Sequence, residues 1–491
     1  MKVILKSVLA ETNLDAPPKS LFSDVYSRVC DSLGLKETWY FGLCYQPNRT
    51  TDLVWLDTSK KVLKKLPTAT KNLSFRIKYY PEDVGTELIE NITLQIFYLE
   101  IKKAILSNDI YCPADTAALL ASYSLQVEFG DFNENRYNRY LMAHQEFLPR
   151  RVFKLYDLNP CTWTASITAM WKKLSGMDPE EAMLEYLKLA QNLDMFGVSY
   201  FNILNKKKTK LLIGVTPLGL NIYTPVDKLT PQLSFSWSEI KKLRFKGKKF
   251  LIRFMGKKIP NFTFYTTSKI RSKQIYNLSL GNQELYIRRR EPDSPEVTVL
   301  RERAKALRDL RLRNKEKLKL DISSKEDSLR REEEYQHHLQ KLQQDLESTM
   351  QRIQQEIAEK LEETKKLQKQ IEAARKDEED YKIKLRKEEL DKLRRKAMLE
   401  DEARREKEIS VLFSDPDNTS TFPEVFRVDD ELQVHVKSLR TKLEDSIREG
   451  EQTMLDRIHQ ENIREARNKY KTLSDIRGEN CIKRIKFFDK M

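Results

Sequence analysis

LQKLQQDLESTMQRIQQEIAEKLEETKKLQKQI, residues 339–371, carries an apolar series at Leu339, Leu342, Leu346, Met350, Ile353, Ile357, Leu361, Leu367 and Ile371. All steps but one are three or four residues, which places the series on one face of a helix. The stretch lies inside residues 296–415, which are 120 residues without a glycine or a proline. Its densest part, residues 359–408, has 33 Asp, Glu, Lys or Arg residues in 50 positions. Glu362/Lys366, Glu372/Lys376 and Glu388/Lys392 set an acid four residues before a base, the favourable order on a helix. A disordered segment of this charge seldom keeps an apolar seam and usually admits Pro, Gly and Ser. The pattern therefore predicts a long helix in coiled-coil contact, which would reach on the order of 170 Å at about 1.5 Å per residue. Ser323-Ser324-Lys325-Glu326 fits S-x-x-E and marks a candidate break into two helices. A fold-back is expected near residues 376–380. The pattern leaves open whether the helix pairs with itself as a hairpin or with a second chain.

Outward from this stretch the composition changes. All five tryptophans (Trp39, Trp55, Trp163, Trp171, Trp237) precede residue 240, whereas residues 296–415 hold only Tyr335, Tyr381 and Phe413 as aromatics. Packed cores thus belong mainly to the first ~290 residues. A formal charge of +15 suits an anionic partner, be it a membrane surface, a nucleic acid or an acidic filament. The five cysteines are scattered without C-x-x-C spacing, which argues against a disulfide framework and against a zinc site. The opening apolar run is too short for a signal sequence and Lys6 interrupts it. No stretch approaches the ~20 apolar residues that span a bilayer. The expectation is a cytosolic protein that meets a membrane only peripherally, with no cofactor.

Residues 1–82 read as a small α+β unit: a strand over 1–9, a helix over 21–33, and strands at 39–45, 52–56 and 73–79, the last alternating Leu73, Phe75, Ile77 and Tyr79. Residues 83–196 read as a bundle of about four helices. Residues 197–292 switch to period two, giving seven short strands and a closing helix over 268–288, a strand sandwich capped at one end. Residues 293–409 are the charged helical region, 410–425 a linker with Asp-Pro-Asp-Asn-Thr-Ser-Thr, and 426–491 a unit of short amphipathic helices. Residues 462–491 hold nine basic and four acidic side chains, a net of +5.

An enzyme has no positive sign. The histidines are His144, His337, His338, His435 and His459, so the first and third units have none, and G-x-S-x-G, P-loop and H-E-x-x-H patterns are missing. Nucleic-acid binding is disfavoured because aromatics are not interleaved with the basic runs as stacking requires.

Several stretches resemble a known family. RIKYYPEDV (76–84), DIYCP (109–113), LEYLKLAQNLDMFGVSYF (184–201), LGLNIY (218–223), WSEI (237–240) and GNQELYIRRR (281–290) resemble the FERM domain of the ezrin/radixin/moesin family. NKYKTL (468–473) and IRGENCIKR (476–484) resemble that family's C-terminal actin-binding segment. Merlin is the close relative to weigh: the tail's KYKTL argues for ezrin/radixin/moesin, while Phe487 and Phe488 are merlin-like. The resemblance implies a three-lobed head, ubiquitin-like, acyl-CoA-binding-protein-like and PH/PTB-like. It also implies a linker at the inner face of the plasma membrane. Such a protein joins phosphatidylinositol 4,5-bisphosphate, acidic membrane, cytoplasmic tails of membrane proteins and PDZ scaffold proteins to F-actin. Its own tail masks the head, within one chain or in a head-to-tail dimer, until lipid and phosphorylation release it. The alternative is a merlin-like scaffold with weak or no tail actin binding.

By position, Lys60, Lys61 and Lys273 match family lysines at the inositol phosphate head group, and Lys248, Lys249, Lys257 and Lys258 match a second basic patch. Anionic lipid attracts each nearby lysine by about 1 kcal/mol, so several must converge. Asp57 stands where the family commonly has lysine and is expected to weaken that site. Leu243, Phe245, Tyr276 and Leu280 match a groove that takes juxtamembrane peptides by strand addition, although such residues are equally often plain core. Thr472 matches the regulatory phosphothreonine. Arg464, Lys469, Lys471, Arg477, Lys483 and Arg484 are the expected F-actin contacts; a basic tail alone would fit acidic lipid equally well.

Overall fold

The computed structural model describes residues 2–9, 11–15, 21–47, 53–57, 72–133, 147–256, 259–384 and 430–491. The chain forms two compact units, one of residues 1–306 with 426–491 and one of residues 307–425.

The first lobe opens with a hairpin, β1 (Lys2–Lys6) and β2 (Glu11–Asp15), where the sequence suggests a single strand. Helix α1 (Phe22–Leu33) buries Phe22, Val25, Val29 and Cys30 at helical spacing and stops at Gly34, whose φ of 67° is the left-handed cap that a glycine adopts at no steric cost. With β3 (Phe41–Tyr45), β4 (Val54–Trp55) and β5 (Asn72–Ile77) the sheet order is β2-β1-β5-β3-β4, and β1 and β5 run parallel. Alternation in β5 buries Leu73, Phe75 and Ile77, and Phe75 stacks on Phe41 with ring centroids 5.2 Å apart.

The second lobe is helical: α2 (Val84–Glu87), α3 (Asn91–Leu106), α4 (Ala114–Phe129), α5 (Arg150–Leu155), α6 (Pro160–Lys172) and α7 (Pro179–Gln191). Residues 117–126 of α4 are buried on every side, which makes it the central helix. Two carboxylates join the first lobe to the second. Glu37 accepts the amides of Ile89 (3.1 Å) and Glu90 (2.7 Å), while Glu90 accepts those of Lys36 (2.8 Å) and Glu37 (2.9 Å). Burial pushes the Glu37 carboxyl up to about 7.

The third lobe has seven antiparallel strands, β6 (Ser199–Leu204), β7 (Lys210–Thr216), β8 (Gly219–Tyr223), β9 (Leu233–Ser236), β10 (Ile240–Lys246), β11 (Lys249–Phe254) and β12 (Phe262–Thr266), in the order β10-β11-β12-β6-β7-β8-β9. Helix α8 (Lys269–Arg288) closes it and buries Ile275, Leu278 and Leu285. Gly281 lets α8 pass over Tyr79, because a Cβ there would lie 2.0 Å from the Tyr79 hydroxyl.

Helix α9 (Pro295–Lys384) is unbroken, so both expected interruptions are corrected. At residues 323–326 a serine N-cap cannot outbid the helix on either side, and Ser324 simply accepts Ser328 Oγ at its carbonyl (2.8 Å). Residues 376–380 likewise remain helical, since nothing in Lys-Asp-Glu-Glu-Asp breaks the i to i−4 ladder. Within the second unit the seam of Leu339, Leu342, Leu346, Met350, Ile353, Ile357 and Leu361 is exposed. The 410–425 linker lies outside the described residues.

The tail consists of α10 (Asp430–Glu444), α11 (Met454–Arg464), α12 (Lys469–Gly478) and α13 (Cys481–Lys490). Three starts are capped by side chains: Thr453 accepts the amide of Asp456, Asn468 that of Tyr470 and Asn480 that of Ile482.

Candidate functional site

The tail helices lie on the head, and their apolar faces complete its cores. Leu432, Leu439 and Leu443 of α10 are buried in the core shared by the first two lobes, and Ile485 and Phe488 of α13 in that of the third. In α13 these sit at i and i+3, so one face of a single helix enters the lobe. The Phe488 ring lies 4.3 Å from that of Phe262.

Charged contacts set the register of these faces. Arg440 pairs with Asp115. At the start of α11 the buried Asp456 accepts the Thr453 amide (2.9 Å) and Tyr111 Oη (3.0 Å) and pairs with Arg151, whose guanidinium lies 4.5 Å from the Tyr111 ring centre. His459, one turn further, packs 5.5 Å from the same ring. Burial lowers the His459 imidazole below its ordinary value; Arg151 and Arg440 act in the same direction, and Asp115 and Asp456 oppose them.

On α12, Lys469 Nζ donates to the carbonyls of Gln191 (2.9 Å), Leu193 (2.8 Å) and Phe196 (3.3 Å), where α7 ends. Its stem is half-exposed while Nζ is sunk in the head, and burial brings the ammonium down to about 8. Asp194 beside it is pushed up to about 6 by burial, against the pull of Lys469. Arg477 donates to Ser234 Oγ (2.9 Å) and the Leu218 carbonyl (3.2 Å). Arg484, fully buried, pairs with Glu239, donates to the Ser234 carbonyl and lies 5.0 Å from the Phe235 ring centre. Of the six cations expected to meet F-actin, Lys469, Arg477 and Arg484 therefore face the head, and Arg464, Lys471 and Lys483 are exposed.

Thr472 is half-buried and lines a cavity of about 250 Å³ where α11 and α12 cross the joint between the second and third lobes, with Glu82, Asp194, Asn221, Tyr223 and Thr230.

The other expected sites fall as follows. Lys273 on α8 reaches across to the first lobe and pairs with Asp57 at 3.1 Å. Lys248 and Lys249 are exposed at the β10–β11 turn. Lys60, Lys61, Lys257 and Lys258 lie outside the described residues. Strand β10 is the terminal strand of its sheet, hydrogen-bonded to β11 on one side, so its other side faces α8 as an open edge. Phe245 and Tyr276 meet there at 5.2 Å and Leu280 is exposed beside them. Leu243, two residues before Phe245 and so on the same face of the strand, is buried in the core of the lobe.

Asp456, Arg151, Asp194 and Glu239 escape a sequence reading. Thr453-x-x-Asp456 is a visible capping pattern, but the second carboxylate oxygen meets a residue 305 positions away.

Four family models match the chain: FERM N-terminal domain at residues 10–68, FERM central domain at 83–201, FERM C-terminal PH-like domain at 205–294, and Ezrin/radixin/moesin family C terminal at 421–491. Moesin/ezrin/radixin homolog 1 of Culex quinquefasciatus is 40% identical over 349 residues, 71% of this chain and 61% of the relative. The same protein of Aedes aegypti is 40% identical over 349 residues, covering 60% of its length. The chain thus spans about 60% of the length of these curated relatives. The crystal structure of the FERM and C-terminal domain complex of Drosophila Merlin superposes with a TM-score of 0.57 at 41% identity, over 60% of this chain and 98% of that one.

Proposed function

Because the chain belongs to the ezrin/radixin/moesin family of FERM proteins, we propose that it links the cell membrane to the actin cytoskeleton and that its tail, when docked, holds it inactive. The head takes cytoplasmic tails of membrane proteins at the β10–α8 edge and acidic phosphoinositide through its lysines; residues 462–491 take F-actin. The observation that carries this reading is the burial of Lys469, Arg477 and Arg484 against the head: the same cations cannot contact a filament while they are docked. A head and C-terminal domain complex is also what the Drosophila Merlin structure contains.

Phosphorylation of Thr472 releases the tail in this scheme. A phosphate adds about −1.5 to −2 charges and its bulk to a half-buried position on a cavity that Glu82 and Asp194 also line. The full-length chain, wild type and Thr472→Asp, is sedimented with F-actin, with and without vesicles containing phosphatidylinositol 4,5-bisphosphate. Little wild-type protein should pellet alone, with recovery on adding vesicles or with Thr472→Asp. A chain that ignores actin under every condition refutes the linker reading and leaves a merlin-like scaffold.

A further inference from the structure

The end of α7 has the makings of a receptor for one chemical group. The carbonyls of Gln191, Leu193 and Phe196 converge on a single nitrogen, Lys469 Nζ, at 2.9, 2.8 and 3.3 Å. Three acceptors thus meet the three N–H donors of one ammonium. Gln191 is the last residue of α7, where the aligned peptide dipoles favour positive charge, and Leu193 and Phe196 follow two and five residues on. Asp194 adds a neighbouring carboxylate. The Phe196 and Tyr470 rings flank the nitrogen at 5.6 and 5.7 Å, within cation–π range. Two residues on, Lys471 is exposed, so the chain carries a matched control.

We propose that this end of α7 is a socket selective for a primary alkylammonium, and that it decides whether α12 docks by reading the chemical state of the nitrogen at position 469. A guanidinium spreads five donors over a rigid plane and has no single nitrogen to present to three converging carbonyls. An Nε-acyl-lysine keeps one N–H, loses the charge and adds bulk, leaving at least two of the three contacts unmade. Arginine and acyl-lysine are both excluded, for different reasons. Transfer of an acyl group from an acyl thioester to the unprotonated Lys469 Nζ of a free tail, with the thiol and a proton released, would then hold the protein open without any change at Thr472. This deepens the docked-tail reading above and uses a readout that does not involve actin.

The test uses the full-length chain with Lys469→Arg, Lys469→Met, or Nε-acetyl-lysine at position 469, against Lys471→Arg and Nε-acetyl-lysine at 471. Amide hydrogen exchange is followed in α12, with amides of β7 and β8 as a control for the folded head. All three changes at 469 should speed exchange in α12 at least tenfold, and neither change at 471 should do so. Wild-type protection in Lys469→Arg overturns the selectivity for an ammonium. Wild-type protection in Lys469→Met or in the acetylated chain overturns the socket altogether, since the stem alone would then dock the helix. If exchange behaves as expected but the chain opened by Thr472→Asp, with Lys469 intact, fails to pellet with actin, the linker reading falls and the socket stands.

Discussion

Replacing Phe488 by alanine asks how much of tail docking is apolar burial. The Phe488 side chain is fully buried, beside Ile485 and 4.3 Å from the Phe262 ring. Truncating a buried phenylalanine to alanine costs about 3–5 kcal/mol, the transfer of the ring plus the cavity it leaves. When the tail is free the ring is in water in either case, so nearly all of this cost falls on the docked state. At 1.4 kcal/mol per tenfold, the docking equilibrium should weaken by roughly 10² to 10³·⁵. Phe487 is the internal control: it adjoins Phe488 on the chain but is 49% exposed, and a surface truncation of this kind stays within about 0.5 kcal/mol. The assay is amide exchange in α13, with α8 and β7 reporting on the head itself. Phe488→Ala should lift exchange in α13 towards that of a free helix while β7 keeps its protection, and Phe487→Ala should do neither. Equal effects of the two substitutions, or full protection in Phe488→Ala, would refute docking through one face of α13.

Two further outcomes follow from charged contacts. Asp57→Lys removes the acid paired with Lys273 and adds a base. At about 1 kcal/mol per basic side chain near an anionic surface, this change of two charges should tighten binding to phosphoinositide vesicles roughly thirtyfold at low salt; unchanged vesicle sedimentation places the lipid site elsewhere. The buried His459 imidazole is lowered below 6.5 in the docked form, so the docked state binds fewer protons than the free tail. Docking is therefore fully supported by this group above about 6.5 and loses that support as pH falls. Below about 6, protonation of Asp194, which is raised in the docked form, acts in the opposite sense. Protection factors in α11, which divide out the intrinsic slowing of amide exchange at lower pH, should fall between about pH 7.5 and 6, and His459→Gln should flatten that fall; an unaltered profile in the variant assigns the change to another group.

Much of this fold was legible because it rests on periodicity. Alternation of Leu73, Phe75 and Ile77 marked β5, the three-and-four spacing of Val25 and Val29 marked α1, and period two marked the strands of the third lobe. Strand β2 was missed because Glu-Thr-Asn-Leu-Asp carries one apolar residue and so has no period; it pairs because β1 offers it an edge. The candidate site was less legible. Residues Cys481, Ile485 and Phe488 reveal that α13 has an apolar face, but not what covers it. Arg484 sits on that same face and is fully buried, and in sequence it cannot be told from exposed Lys483 beside it. Tyr111 and Asp456 meet across 345 positions. Only the resemblance to a family connected the two ends of the chain.

The docked tail separates two kinds of energy. Lys469 and Arg477 are both held below their ordinary values by burial. Taking these cations out of water thus costs free energy that their carbonyl, hydroxyl and carboxylate partners only partly return. The net attraction comes from Leu432, Leu439, Leu443, Ile485 and Phe488, whose burial has no directional preference and would tolerate neighbouring registers. The cations supply the missing direction, because a shifted register would leave each of them buried without its partners. On the proposed function this division explains how a modest signal can open the protein. A phosphate on Thr472 need not overcome the apolar contacts one by one; it has only to make the single register that satisfies Lys469 unfavourable. Actin affinity is then scaled by the undocked fraction, so a tenfold weakening of docking should appear as a tenfold gain in apparent affinity while most molecules remain closed.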